Sequence, residues 1–297
     1  MMSTCTGVDF KPISLDGQDE YLKRFAECPQ KVSDYSFTNI WGWAEHYGLE
    51  WFFGESHVWL RQTRPEVVYW APVGPWKNVP WDQCPTLPNC GPFTRVPEEL
   101  ALLWQDCFGD RLELTEARQH WDYVYSVPEL TVLSGNRFHK KKNLLNQFKK
   151  KYDYHYHSMT RDCVEDVLDM QMDWFNWRDA ESRAVLSAEN TAIQRVLQNW
   201  DDLRGVFGGV IEVDGSKAAY TVGEHLCDKT LVIHFEKGIT HYKGIYQAVN
   251  QMFLEGEAEV YEFVNREQDL GDPGLRKAKE SYHPVKYQKK FEVAIAS

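Results

Sequence analysis

The dipeptide Asp214-Gly215 joins two long β-prone runs, GVFGGVIEV (205–213) and KAAYTVGEHLC (217–227), and a third run, Thr230–Phe235, begins only two residues later. An Asp-Gly pair accepts the positive φ angles that a tight antiparallel turn demands, so the three runs form one meander. What lies beside them in sequence must then cover that sheet. Upstream come a strand at Tyr152–Ser158 and two helices. DCVEDVLDMQMDWFNWRD sets Val164, Val167, Leu168, Met170, Met172, Trp174 and Phe175 at helical spacing, and SAENTAIQRVLQNWDDL opens on Ser187 as an N-cap. Downstream are a helix, IYQAVNQMFLEGEA, and an apolar run from Val260 to Val264. The order is strand, helix, helix, three antiparallel strands, helix, strand.

The first half follows the same plan without repeating the sequence. Asp9–Ser14 reads as a strand and QDEYLKRFAEC as a helix with Tyr21, Leu22 and Phe25 on one face. Ser36 or Thr38 caps a second helix carrying Ile40, Trp41, Ala44 and Tyr47, and Gly48 ends it. Strands at Leu49–Phe53, His57–Gln62 and Glu66–Pro72 sit at hairpin spacing. Residues 73–95 hold five of the 13 prolines and read as an irregular loop. A helix starts at Pro97, and strands at Leu112–Glu116 and Asp122–Ser126 flank a short helix at Ala117–Trp121. A chain of 297 residues exceeds one small core. The expected fold class is therefore α+β (α/β), with mostly antiparallel mixed sheets flanked by helices. Two domains are expected, at 1–132 and 152–297, joined by a basic connecting helix at 133–151.

A net charge of −11 gives the molecule no general attraction to nucleic acid or anionic lipid, so any such contact must be local. One segment qualifies. LSGNRFHKKKNLLNQFKKKY (133–152) carries Lys140, Lys141, Lys142, Lys149, Lys150 and Lys151 around an inward stripe of Phe138, Leu144, Leu145 and Phe148. It suits a phosphate-rich partner such as tRNA, a nucleotide or a lipid head group, or it is a solvated connector. Seven cysteines, an odd number with no Cys-x-x-Cys, argue against both a disulfide framework and a zinc site. The N-terminus lacks a basic region followed by an apolar run, and no apolar stretch nears the ~20 residues of a membrane span. A cytoplasmic protein with no membrane-spanning segment and no permanently bound cofactor is expected.

Two stretches concentrate chemistry. In VYEFVNREQDLGDPGLRKAKESYHPVK (260–286) a strand stops at a cluster of polar side chains, Asn265, Arg266, Glu267, Gln268 and Asp269. A turn and a short basic helix with Arg276, Lys277 and Lys279 follow. Strand ends of this kind position ligands in α/β proteins, although charge runs also mark solvated faces. HFEKGITHYKGIYQAVNQ (234–251) places Gly238, Lys243 and Gly244 between a strand and a helix N-terminus, where backbone N–H groups favour anions. Neither a Walker loop nor a dinucleotide fingerprint is present, and glycine at such joints also serves turn geometry alone.

FTNIWGW (37–43), LSGNRFHKKKNLLNQF (133–148), YKGIYQAVNQMF (242–253) and YEFVNREQDLGDPGLRKAKESYHPVK (261–286) together resemble one bacterial family. It is the group related to the soluble C-terminal domain of phosphatidylglycerol lysyltransferases. The resemblance implies two GNAT-like domains in tandem, as in the Fem-type transferases. It also implies transfer of an acyl or aminoacyl group from acyl-CoA or aminoacyl-tRNA to an amine or hydroxyl on a small-molecule or lipid-derived acceptor. The GNAT pyrophosphate signature is not intact around Gly238–Gly244.

Such transfer needs a deprotonated acceptor, a polarised carbonyl and a protonated leaving group. Glu236 and Glu267 are the candidate bases, with His234, His241 and Asp269 as alternatives, and Tyr282 is the candidate acid. Asn265, Arg266, Asp269, Asn176 and Arg178 are candidates for holding substrate. Gly238, Lys243, Gly244, Arg276, Lys277, Lys140, Lys141 and Lys142 are candidates for carrier phosphates, the last three through a tRNA-binding helix at 139–151. Enzyme chemistry calls for Glu236, Arg266, Glu267 and Asp269 to converge. The other reading is a catalytically inactive tandem GNAT-like module that binds a small metabolite or a protein partner. No Ser-His-Asp order or metal-ligand cluster supports covalent or metal catalysis.

Overall fold

The computed structural model describes residues 8–87, 90–177 and 180–296. Contacts divide the chain into two compact units that do not follow sequence order. The first comprises the stretch ending at Asp122, Gln268–Asp272 and the stretch from Tyr287; the second comprises Tyr123–Glu267 and Pro273–Lys286.

In chain order the first unit runs β1 (Lys11–Pro12), α1 (Gln18–Ala26), α2 (Phe37–Gly42), α3 (Ala44–Tyr47), β2 (Glu50–Phe53), β3 (Val58–Gln62), β4 (Val68–Trp70), β5 (Phe93–Pro97), α4 (Glu98–Phe108) and β6 (Leu112–Glu116). Ser36 is the residue that caps α2, its hydroxyl accepting from the Asn39 N–H at 3.3 Å. Phe37, Ile40, Trp51, Leu60, Phe93, Leu100 and Trp104 are buried between the helices and the sheet. The stretch expected to be irregular through residue 95 in fact enters a strand at Phe93. The five prolines mask a β-prone Phe-Thr-Arg-Val, and Pro97 ends the strand with ψ 147°, so the helix begins at Glu98.

The chain continues with β7 (Asp122–Ser126), α5 (Val127–Val132), α6 (His139–Lys151), β8 (Tyr154–Ser158), α7 (Arg161–Asn176), α8 (Ala180–Gln198), β9 (Val206–Val213), β10 (Ser216–Cys227), β11 (Thr230–Gly238), α9 (Ile245–Glu257), β12 (Phe263–Asn265), α10 (Pro273–Glu280), β13 (Lys286–Gln288) and β14 (Lys290–Ile295). Ser187 is inside α8 and not its cap, because nothing from Ala180 onward breaks the helix. Asp214 (φ 52°) and Gly215 (φ 79°) make the anticipated hairpin.

The first sheet has the order β1-β2-β3-β4-β5-β14-β6 and the second β13-β7-β12-β11-β10-β9-β8. Each contains one parallel pair, β4 with β5 and β11 with β12, and is otherwise antiparallel where pairings are resolved. Both are mixed sheets flanked by helices, an α+β architecture used twice. They differ at the link between the parallel strands. In the second unit α9 fills it; in the first it is a largely irregular segment that contains the 3-10 turn Trp81–Gln83.

Candidate functional site

The site is set by a bulge in β11. Val222 pairs with Phe235 and Gly223 with Ile233, which leaves His234 as an extra residue. A bulge reverses the alternation of side chains beyond it. Ile233 faces the core beneath α9, and after the bulge it is Glu236, not Phe235, that returns to that face. Lys237 leaves by the other face, where Nζ donates to Glu189 Oε2 at 2.7 Å and lies over the Trp174 ring.

Beneath α9 the second unit gathers one polar cluster. Arg266, the first residue past β12, donates from Nη2 to Glu236 Oε1 at 2.9 Å. Asn250 Nδ2 donates to Glu236 Oε2 at 2.9 Å, so both carboxylate oxygens are engaged. The Arg266 guanidinium lies 4.9 Å from the Tyr282 ring and 5.7 Å from the Tyr125 ring, and its buried Nη1 has no hydrogen-bond partner among the described residues. Gln247 Nε2 donates to the Tyr282 hydroxyl at 3.1 Å. Lys141 reaches in from α6 with Nζ 3.9 Å from the centre of the same Tyr282 ring. Burial, chiefly, pushes the Tyr282 phenol up and keeps it protonated, and burial followed by the nearby Arg266 charge lowers the Lys141 ammonium. Two cations, one carboxylate and one phenol thus share a face.

On the opposite face lies a second cluster. His234 Nε2 is 3.0 Å from Glu224 Oε2 and Nδ1 is 2.8 Å from Glu267 Oε1. The imidazole side chain has no exposure. Burial opposes its charge most strongly, but the two carboxylates outweigh it and raise His234 to about 9, so it is an imidazolium. Glu267 is fixed with φ 57° by its own N–H donating to Asn265 Oδ1 at 2.8 Å and by its carbonyl accepting from the Tyr123 N–H at 3.1 Å. Left-handed backbone at a non-glycine residue is held only where its surroundings insist on it.

The anticipated residues therefore separate. Glu236, Arg266, Tyr282 and Lys141 meet; Glu267 belongs to the opposite cluster, because neighbouring residues at a strand end leave by opposite faces. Asn265 is buried beneath Glu267. Asp269 lies in the first unit, buried, accepting from Arg118 Nη1 at 3.1 Å and from the Gly271 N–H at 2.9 Å. Gly238 is inside β11, where a Cβ would press on Ile245. Gly244 (φ 91°) caps α9 and lets α6 approach so closely that a Cβ would stand 2.3 Å from the Leu144 carbonyl oxygen. The Lys243 N–H donates to the Tyr152 hydroxyl at 3.1 Å. Lys140, Lys142 and Lys277 are exposed and Arg276 is half-buried. Asn176 is exposed at the end of α7, its carbonyl accepting from Arg183, and Arg178 lies outside the described residues. Sequence reasoning missed Glu224, Gln247 and Asn250. The last two were signalled by amides placed on the buried face of an otherwise apolar helix.

Among the described residues no helix is long and apolar enough to cross a membrane, and no three or more His, Cys, Asp or Glu side chains are grouped to hold a metal.

The cluster thus sits in one of two mixed sheets flanked by helices, an α+β architecture used twice in the chain. Residues 25–294 match the family described as phosphatidylglycerol lysyltransferase, C-terminal. The chain belongs to that family, one of aminoacyl- and acyl-transferases. It is similar to a conserved protein of unknown function from Bacteroides thetaiotaomicron, with 28% identity over 97% of this chain and 99% of that one, and a TM-score of 0.88. L-PGS from Bacillus licheniformis shares 14% identity over 96% and 92% of the two chains at a TM-score of 0.66. FemX shares 7% over 96% and 95% at 0.55. The last two establish likeness of fold. No curated protein matches the chain.

Proposed function

We propose that the protein transfers an aminoacyl group from aminoacyl-tRNA to an amine or hydroxyl of a small-molecule or lipid-derived acceptor, with the carrier bound by the second unit. The observation that carries this reading is Lys141. It belongs to the lysine-rich α6, yet its ammonium lies on the Tyr282 ring of the Glu236–Arg266 cluster. A cationic helix leading into a half-buried cationic cluster suits the phosphate-rich end of a nucleic acid better than an uncharged donor. An acyl-CoA donor finds less here, since the N-terminus of α9 is spent on close packing with α6.

In the reaction the carbonyl–ribose oxygen bond breaks and a carbonyl bond to the acceptor nitrogen or oxygen forms. The proton lost by the acceptor is regained by the ribose oxygen. Glu236, with both oxygens engaged, positions Arg266. The unpartnered Nη1 of Arg266 and the protonated Tyr282 hydroxyl are the donors for negative charge developing on the carbonyl oxygen and for the leaving oxygen. Glu267, paired with His234 on the opposite face, takes no part; the acceptor proton replaces the one that the Tyr282 hydroxyl gives to the leaving ribose oxygen.

The test is transfer of a labelled amino acid from aminoacyl-tRNA to an extract of small amines and lipids, with acyl-CoA as the competing donor. Lys141→Ala is expected to raise KM for the tRNA about tenfold at unchanged kcat, and Tyr282→Phe to lower kcat about a hundredfold. Absence of transfer from every aminoacyl-tRNA, together with transfer from acyl-CoA, refutes the carrier assignment. Absence of transfer from both favours a binding module.

A further inference from the structure

The two sheets are built to one plan, and the plan puts an arginine at the same point in each. In the second unit the parallel pairing of β11 with β12 ends at Val232–Asn265, and Arg266 follows. In the first, the pairing of β4 with β5 ends at Trp70–Thr94, and Arg95 follows. Each arginine meets a carboxylate, the buried Asp34 at 3.1 Å for Arg95 and the partly buried Glu236 at 2.9 Å for Arg266. Each lies over two aromatic rings, which for Arg95 are Trp70 at 4.9 Å and Tyr47 at 5.2 Å. Each also keeps one buried guanidinium nitrogen without a hydrogen-bond partner among the described residues.

Arg95 is 6% exposed, and its hydrogen bonds are concentrated at one corner. Nη1 donates to Asp34 Oδ1 at 3.1 Å and to Gln268 Oε1 at 3.2 Å, and lies 3.0 Å from His120 Nδ1. The other edge begins at Nε, which has no hydrogen-bond partner among the described residues, and the Tyr47 side chain lies against this part of the guanidinium and interacts with it. That edge of a guanidinium is the one that receives a carboxylate through two parallel N–H donors. A buried donor left unpaired is costly, and a ligand that supplies the acceptor relieves the cost.

The surrounding charges narrow the ligand. Lys290, fully buried, donates to Asp34 and to Asp122. With Arg95 the four groups balance. His120 adds no charge, because burial and then the Arg95 charge lower it to about 4. At the half-exposed rim stands Glu292, near the exposed Glu66; its Oε1 accepts from Thr94 Oγ1 at 2.7 Å and lies 4.0 Å from His120 Nε2. An inward guanidinium edge and an outward carboxylate are complementary to a zwitterion. Phosphate would meet Asp34 and Glu292 with a second negative charge, and a plain carboxylate would leave Glu292 unmatched.

We propose that the first unit binds a free α-amino acid, its carboxylate on the Nε edge of Arg95 and its ammonium at Glu292. The site stands apart from the carrier reading of the second unit, since every residue it uses belongs to the first.

Calorimetric titration of the whole chain with a panel of α-amino acids, acetate and inorganic phosphate tests it. At least one α-amino acid is expected to bind saturably, with a Kd of roughly 1 mM or tighter. Acetate and phosphate should bind at least about tenfold more weakly, and Glu292→Gln should weaken the amino acid about tenfold while leaving acetate unchanged. Arg95→Lys, checked for folding by circular dichroism, should abolish both. If that variant does not fold, Glu292→Gln carries the test alone. No saturable amino-acid binding, phosphate binding as tight as the amino acid, or a Glu292→Gln variant that binds like the parent would each overturn the proposal.

Discussion

His234→Gln separates the electrostatics of the second unit from its packing. The imidazolium stands between Glu224 and Glu267 with its side chain wholly buried. Its folded-state value of about 9 compares with 6.5 for the free side chain. Between these limits the folded chain keeps a proton that the unfolded chain has released. Stability must therefore fall as pH rises, by about 1.4 kcal/mol per pH unit. The contribution is complete below pH 6.5 and lost by about pH 9, and in total it is roughly 3 kcal/mol. Glutamine removes it and leaves the buried Glu224 and the partly buried Glu267 facing each other, at a cost of roughly 3–5 kcal/mol near neutral pH. Urea denaturation of both proteins at half-unit steps from pH 6.5 to 9.5 measures the difference. It should narrow by most of those 3 kcal/mol as pH rises. A gap that stays constant across the window shows that His234 is neutral in the fold and that the argument is wrong.

Lys290→Met tests the first unit in the same way. Removing the ammonium takes away the buried cation that Asp34 and Asp122 share, with Arg95 remaining on Asp34, and should cost roughly 3–5 kcal/mol, whereas an unshifted urea midpoint would show the charges to be solvated. Gly244→Ala forces a left-handed backbone onto a residue whose Cβ meets the Leu144 carbonyl. It should lose at least about 2 kcal/mol, and a thermal melt unchanged from the parent would contradict the close approach of α6 to α9.

Much of the fold was legible in the sequence, for reasons tied to particular residues. The Asp214-Gly215 turn fixed the meander of the second sheet, and the apolar spacing of Val164, Val167, Met170 and Trp174 fixed the helix over it. β5 was hidden because prolines crowd the stretch before it and β-propensity over Phe93–Pro97 is too short a signal. β14 went unread, since nothing in Lys290–Ile295 tells that its partners are β5 and β6, some 200 residues earlier. At the site, Arg266, Glu236 and Tyr282 stood out as polar residues at strand and helix ends, and they meet. Glu267 was expected beside them, yet as the neighbour of Arg266 it leaves by the other face, and it is the inserted residue at His234 that turns Glu236 towards Arg266. Bulges are invisible to periodicity because they are interruptions of it.

The placement of β14 has a consequence for biosynthesis. Lys290–Ile295 is the strand that separates β5 from β6, so the first sheet is interrupted until the chain has been made as far as Ile295. During translation β1 to β5 and their helices must wait, with an unpaired edge at β5, while the whole second unit emerges and can fold ahead of them. The half that is synthesised first is then the half that is finished last. Loss of Lys290–Ile295 would therefore remove an internal strand, the sixth of seven, and cut β6 off from the first sheet.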